Sequence, residues 1–121
     1  MSWTYEVSTG KMTTPQGFTL GECYSGNGAG LNNSAMEAVH DVGPIPRGQY
    51  QIGDFFEDPQ KGPIVAHLTP VPPFDALGRS GFMIHGDNQL LNHSASEGCI
   101  VAARFIREQV SESEDTILEA V

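Results

Sequence analysis

Glycine and proline interrupt this chain too often for long helices. Fourteen glycines and eight prolines fall among 121 residues, scattered at turn-like positions and not pooled in a tail. Residues of these two kinds favour turns and end regular elements. A chain cut in this way is expected to fold as many short strands and loops, not as a helix bundle. The length fits a single domain over residues 1–121 and suffices to bury a core without staples.

Between the breaks, the periodicity is mainly that of strands. Trp3-Thr4-Tyr5-Glu6-Val7-Ser8 alternates apolar and polar. Met12–Thr14, a strand starting at Phe18-Thr19-Leu20 and ending near Cys23-Tyr24-Ser25-Gly26, Tyr50–Ile52, Ile64–Thr69 and Phe82–Ile84 read as further strands. Residues 26–34, GNGAGLNNS, read as a loop, and Gly43-Pro44-Ile45-Pro46-Arg47-Gly48 as a stiff turn. One helix is expected from Val101 to Val110, with Ala102, Phe105, Ile106 and Val110 on its apolar face and Arg104, Arg107 and Glu108 elsewhere. Thr116–Val121 reads as a closing strand. The expected fold is mostly β, a sandwich or folded sheet of about six or seven strands with the helix packed on one side.

The formal net charge is -9, and the six Lys and Arg residues do not cluster. A nucleic-acid partner needs a basic footprint, which this chain lacks. Attachment to an anionic membrane surface is disfavoured for the same reason. No run approaches the length of a membrane-spanning helix. The start, Met1 to Glu6, lacks the basic-then-apolar order of a secretory signal, so a target outside the cytoplasm requires another route of delivery. Two cysteines are too few for a disulfide scaffold or a four-cysteine zinc site. Cys23 and Cys99 are either bridged or divided into one reactive and one buried thiol.

The chemistry concentrates in His85-Gly86-Asp87-Asn88 and Ser94-Ala95-Ser96-Glu97-Gly98-Cys99-Ile100. Cys99 follows a glycine and directly precedes the expected helix. Its thiol would then meet unpaired N–H groups and the positive end of the helix dipole. Both favour thiolate, the reactive form, and the same N–H groups suit an oxyanion. His85 closes an apolar strand fourteen residues earlier. A carbonyl at Gly86 or Asp87 would hold its Nδ1 and fix the tautomer. The residues alone leave this pairing open, since a buried cysteine with an unrelated histidine is the commoner case.

Three blocks stand in order along residues 24–101: Tyr24-Ser25-Gly26, Gly43-Pro44-Ile45-Pro46-Arg47-Gly48-Gln49-Tyr50, and His85-Gly86 followed by Ser96-Glu97-Gly98-Cys99-Ile100. Together they resemble the signature of the YkuD-like L,D-transpeptidases. They are most similar to the smaller branch of type VI secretion L,D-transpeptidase effectors. The resemblance implies a β-rich fold and a Cys–His site with no metal or other cofactor. It implies attack on the L-to-D bond after diaminopimelate in the peptidoglycan tetrapeptide stem. Water as acceptor gives L,D-carboxypeptidase activity, and a D-amino acid or a second stem gives exchange or crosslinking. By the same resemblance Cys99 is the nucleophile and His85 the base, Ser96 shapes the turn, and the Gly98–Cys99 backbone supplies oxyanion donors. Tyr24, Ser25 and Gly26 would line the substrate groove, with Gly86, Asp87 and Asn88 bordering it. An antibacterial effector of this kind also implies secretion machinery, an immunity protein and action in the periplasm of a target bacterium.

Some positions depart from the pattern. Glu97 stands where most L,D-transpeptidases carry a second histidine. A carboxylate facing the thiol would oppose thiolate formation, so the role of base falls on His85, and Glu97 is assigned to the substrate's amine. Val101 replaces an arginine common in the wider superfamily. Arg104 is the nearest substitute, or else lies on a solvated helix face. Asp87 binds a substrate amine or caps its loop, and Arg79 holds a substrate carboxylate or pairs with an acid. His93 is assigned an outer role, and His40 and His67 structural or surface ones. The competing readings are a catalytically inactive cell-wall-binding module on the same fold, a metal site and a papain-like protease. A metal site from His85, Asp87, His93 and Cys99 matches no zinc spacing. A papain-like protease would place its cysteine first, with the histidine far downstream.

Overall fold

The computed structural model describes residues 1–87, 96 and 98–121. The described strands, in chain order, are β1 (Trp3–Glu6), β2 (Lys11–Thr13), β3 (Thr19–Glu22), β4 (Tyr24–Ser25), β5 (Gly48–Ile52), β6 (Phe56–Asp58), β7 (Gly62–Pro70), β8 (Met83–His85), β9 (Ile100–Val101) and β10 (Ile117–Ala120). A helix, α1 (Arg104–Glu112), connects the last two. The fold is mostly β, as the turn-rich sequence implies, and the closing strand forms where alternation places it.

The strands form one sheet in the order β3-β2-β1-β10-β5-β7-β8-β9-β4, with β6 added to β7. β3 and β4 stand at opposite ends of this order, yet only Cys23 separates them in the chain. One residue spans at most about 3.5 Å, so the sheet must curl until its two ends nearly meet. Cys23 marks the junction: its N–H donates to the Gly10 carbonyl at 2.6 Å.

Alternation decides what fills the interior. Trp3, Tyr5, Met12, Tyr50, Ile52, Leu118, Ala120, Ile84 and Ile100 point into one buried cluster, to which α1 adds Ile106 and Val110. Fully burying side chains of this size stabilises by roughly 1.5–3 kcal/mol each. The Tyr50 ring meets Phe74 and Phe82 edge-on, with centroids 5.5 and 5.7 Å apart, the preferred geometry for aromatic pairs.

The helix differs from its sequence expectation in start and in phase. Ile100 and Val101 pair with β8 and β4, so the helix begins only at Arg104. Phe105, expected inside, is 50% exposed, whereas Arg107, expected outside, is 7% exposed. Arg107 is drawn in by carbonyl groups: its guanidinium donates to Ala102 at 3.0 Å, Pro63 at 2.6 Å and Ile64 at 3.3 Å. Strand β6 was not among the expected strands; its Phe56 ring stacks on His67 of β7. Among the described residues, no helix is long and apolar enough to cross a membrane.

Candidate active site

The site is organised by the parallel pair β8–β9 and by β4 beside it. Their register sets Ile84 opposite Ile100, His85 opposite Val101 and Tyr24 opposite Val101. Neighbours across a sheet share a face, so Tyr24, Val101 and His85 form a row on one side, while Ser25, Ile100 and Ile84 face the other. Cys99 directly precedes β9, in the bend that leads into the strand paired with β8.

His85 is 1% exposed, and its Nδ1 lies 2.7 Å from the Gly86 carbonyl oxygen. A carbonyl only accepts, so Nδ1 carries the proton and Nε2 the lone pair. Among the described residues Nε2 has no hydrogen-bond partner. Burial holds the imidazole pKa below its ordinary range, and the bond to Gly86 offsets part of that shift. A neutral base with a bare acceptor nitrogen results.

The two cysteines are unbridged. Cys23 is buried, and burial pushes its thiol up to about 12, which leaves it inert at neutral pH. Cys99 is partly exposed, and its Sγ lies 3.8 Å from the Gly81 carbonyl oxygen. The two thiols thus stand in different environments.

The turn that presents Cys99 is held from below. The Ser96 hydroxyl donates to the Cys99 carbonyl at 2.6 Å and accepts from the N–H groups of Gly98 at 3.1 Å and Gly26 at 2.9 Å. The Ser25 hydroxyl donates to the Gly98 carbonyl at 3.3 Å and accepts from Ile45 N–H at 2.7 Å. Arg79 reaches the same place, its guanidinium donating to the carbonyls of Glu37, Gly43 and Pro44 at 2.6, 3.1 and 2.7 Å. Gly98 has φ 132°, and a Cβ there would collide with the Arg79 guanidinium, so glycine alone fits. The three sequence blocks thus converge beneath one cysteine.

This convergence gives several residues a different place from the one the sequence suggests. Ser25 and Gly26 are buried and brace the turn. Arg79 is 5% exposed and spends hydrogen bonds on main-chain carbonyls. Cys99 does not abut the helix: β9 intervenes and α1 begins at Arg104, so the helix dipole, which fades within a turn, does not act on the thiol. The Gly98 N–H is taken up by Ser96 and is not an oxyanion donor. Asn88, Glu97 and His93 lie outside the described residues.

Residues 20–117 match the Tlde1 domain. The chain belongs to the Tlde1 domain family. Tlde1 domains are type VI secretion effector domains, and the matched span holds all three sequence blocks, with both His85 and Cys99. No curated protein and no solved structure matches the chain.

In this Tlde1 domain, the Tyr24 hydroxyl donates to Asp87 Oδ1 at 2.6 Å, across the row that contains His85. No spacing in the sequence signals this bond, because its two ends lie 63 residues apart. Tyr24 and Asp87 border a cavity of about 580 Å³, together with Glu22, Asn32, Ala102 and Arg104. The cavity opens at the end of β8 and β9 away from Cys99. Arg104 is exposed there, and its Nε lies 3.9 Å from Glu108 Oε2. Gly86 packs under Arg107, where a Cβ would press on the guanidinium. Among the described residues, no three His, Cys, Asp or Glu side chains gather as a metal site.

Ser96→Ala tests the framing of the turn. The change leaves two buried N–H groups, those of Gly26 and Gly98, without their acceptor. Each such loss costs about 1–3 kcal/mol. Urea denaturation of this variant is expected to show a lower midpoint with an unchanged slope. A midpoint equal to that of the wild type would contradict the bracing role.

Proposed function

We propose that this Tlde1 domain is a cysteine L,D-transpeptidase of the YkuD-like kind, acting over residues 1–121 as one catalytic domain. Its substrate is the tetrapeptide stem of peptidoglycan, met in the periplasm of a target bacterium after delivery by type VI secretion machinery. An immunity protein protects the producer. The observation that supports this reading is a partly exposed thiol just ahead of β9, the strand that pairs with β8, whose last residue is a buried imidazole with no hydrogen-bond partner on Nε2 among the described residues.

The reaction follows from the tautomer. His85 Nε2 takes the Cys99 Sγ proton, and the thiolate attacks the diaminopimelyl carbonyl carbon. The C–N bond to the terminal D-alanine breaks, and the imidazolium returns its proton to the departing amine. A thioester on Cys99 remains. Water or the amine of a D-amino acid then attacks it while His85 accepts the proton, and the thiol is restored. Tyr24, Gly86 and Asp87, at the cavity wall or beside it, are proposed to contact the stem, with Asn88 and Glu97.

A thioester does not choose between water and an amine, so the acceptor present decides the product. Incubation with disaccharide-tetrapeptide in plain buffer is expected to give disaccharide-tripeptide and free D-alanine. Added D-methionine is expected to give a tetrapeptide ending in that residue. Mass spectrometry distinguishes the two. Release from a pentapeptide donor alone would move the enzyme to another specificity class. Binding to sacculi without any turnover would instead identify an inactive wall-binding module.

A further inference from the structure

The Nδ1–H of His85 is held by the carbonyl of Gly86, and glycine has the least intrinsic hold on the orientation of its own peptide. What limits Gly86 is a side chain packed against it. The Arg107 guanidinium lies so close to its Cα that a Cβ there would stand 2.8 Å from Nη2 and 3.1 Å from Cζ. Arg107 is itself anchored on three carbonyls. Its Nε donates to Ala102 at 3.0 Å, and its Nη1 to Pro63 at 2.6 Å and Ile64 at 3.3 Å. The Ala102 N–H in turn donates to the His85 carbonyl at 2.9 Å. Ile64 has φ 59°, a left-handed value that is an outlier for a β-branched residue. Such strain persists only where the surroundings over-determine it, and the bonds from Arg107 to Pro63 and Ile64 supply part of that constraint. One guanidinium thus ties the start of β7 and the residue after β9 to the end of β8.

We propose that Arg107 is a positioning residue for His85: it backs the Gly86 peptide, so that the carbonyl stays on Nδ1 and the lone pair stays on Nε2. This rests on the reading of His85 as the base, but not on any choice of substrate. The tautomer of a neutral imidazole is set by the bond that the other ring nitrogen makes. A Gly86 peptide free to turn would release Nδ1 and let the ring proton pass to Nε2, where no thiol proton could then be accepted. Arg107 is 7% exposed, and its neighbours on α1, Ile106 and Val110, are fixed in the core, so the guanidinium stands on a firm base. The charge acts in the same sense as the packing. Burial is the largest influence that keeps the imidazole neutral. Among the described residues, the charged groups acting on it are Lys61 and Arg107, which disfavour the imidazolium, and Asp87, which favours it. Those acting on Arg107 are Arg104 and Glu108, both on α1.

The test reads the ring nitrogens of the histidines in the full, isotope-labelled chain by long-range proton–nitrogen NMR at neutral pH. A bare ring nitrogen and a protonated one give widely separated shifts, so the tautomer is seen directly. Wild-type His85 is expected to show that wide separation, with the proton on Nδ1. Arg107→Met keeps much of the side chain's bulk but loses the guanidinium and its carbonyl bonds. In this variant the two His85 shifts are expected to move toward each other or to interchange, while His40 and His67 keep their wild-type values. Melting temperature, recorded on the same samples, is expected to fall. A lower melting temperature with unmoved His85 shifts would make Arg107 a brace of the fold alone and overturn the proposal. Equal movement at His40 and His67 would mean general loosening and overturn it too. Should Arg107→Met not fold, Gly86→Ala decides. Gly86 has no left-handed φ, so alanine is opposed there by the guanidinium contact, which its Cβ would displace. Loss of the wide separation in that variant supports the proposal, and wild-type shifts overturn it. The tautomer is read without substrate, so failure on peptidoglycan fragments would count against the proposed function and not against this role.

Discussion

Cys99→Ala is expected to abolish turnover of the tetrapeptide, with kcat down by at least about 10⁴-fold, while the fold stays intact. The two halves of this result have separate causes. Without Sγ no thioester forms, and water attacking directly would have to replace both steps. The fold survives because Cys99 is partly exposed and its sulfur makes a long contact of 3.8 Å with a carbonyl. The turn itself is held through main-chain groups by Ser25 and Ser96, which the substitution leaves in place. Cys23→Ala should behave in the opposite way. Cys23 sits in the buried cluster at the junction of the sheet ends, so its truncation lowers stability but spares the chemistry. D-alanine release and urea denaturation on both variants check the dissociation. Near-normal release by Cys99→Ala would remove the nucleophile from the mechanism.

What was legible in the sequence divides along local and nonlocal lines. The alternation of Trp3–Glu6 and the short apolar run before His85 are local signals, and both became strands. The carbonyl of Gly86 does hold the His85 ring, an arrangement legible because the two residues are neighbours. The helix was visible as a segment, but its phase was not. Phe105 is the more apolar residue, yet the carbonyls of Pro63 and Ile64, on a distant strand, reward Arg107 for turning inward. Likewise Ile100–Val101 read as helix until β8 and β4 offered them partners on both sides. The three motif blocks were recognisable as a set, but not as a scaffold. Ser25, with its polar side chain, suggested contact with a ligand. Its hydroxyl is instead satisfied by Gly98 and Ile45, and only the folded chain brings these together. Arg79 was ambiguous for the same reason: the main-chain carbonyls that claim it lie 35 to 42 residues away.

His85→Ala is expected to lower kcat/KM by about 10²–10⁴-fold, the usual contribution of a positioned general base, and to change two pH profiles in ways that identify the residue. Burial depresses the folded pKa below the ordinary value, so the neutral base persists into mildly acidic solution. Wild-type kcat/KM should therefore hold as pH falls through about 6.5, the unperturbed imidazole value, and decline only below it. A thiolate–imidazolium resting pair would demand the reverse, a histidine raised above that value. Stability carries the same signature. Above about pH 6.5, His85 is neutral whether folded or unfolded and contributes no pH dependence. As pH falls below that value the unfolded chain binds the proton first. Stability is then lost progressively until the folded imidazole also titrates. In His85→Ala this part of the acid destabilisation should vanish, together with the acid limb of the rate profile. His67→Ala supplies the comparison, because His67 is exposed and its ring stacks on Phe56 of β6. It should leave kcat/KM within about twofold of wild type, as surface substitutions away from a site generally do. D-alanine release measured from pH 5 to 8 on the three proteins, with urea midpoints over the same range, makes the test. An acid limb that survives unchanged in His85→Ala would assign the base to another residue.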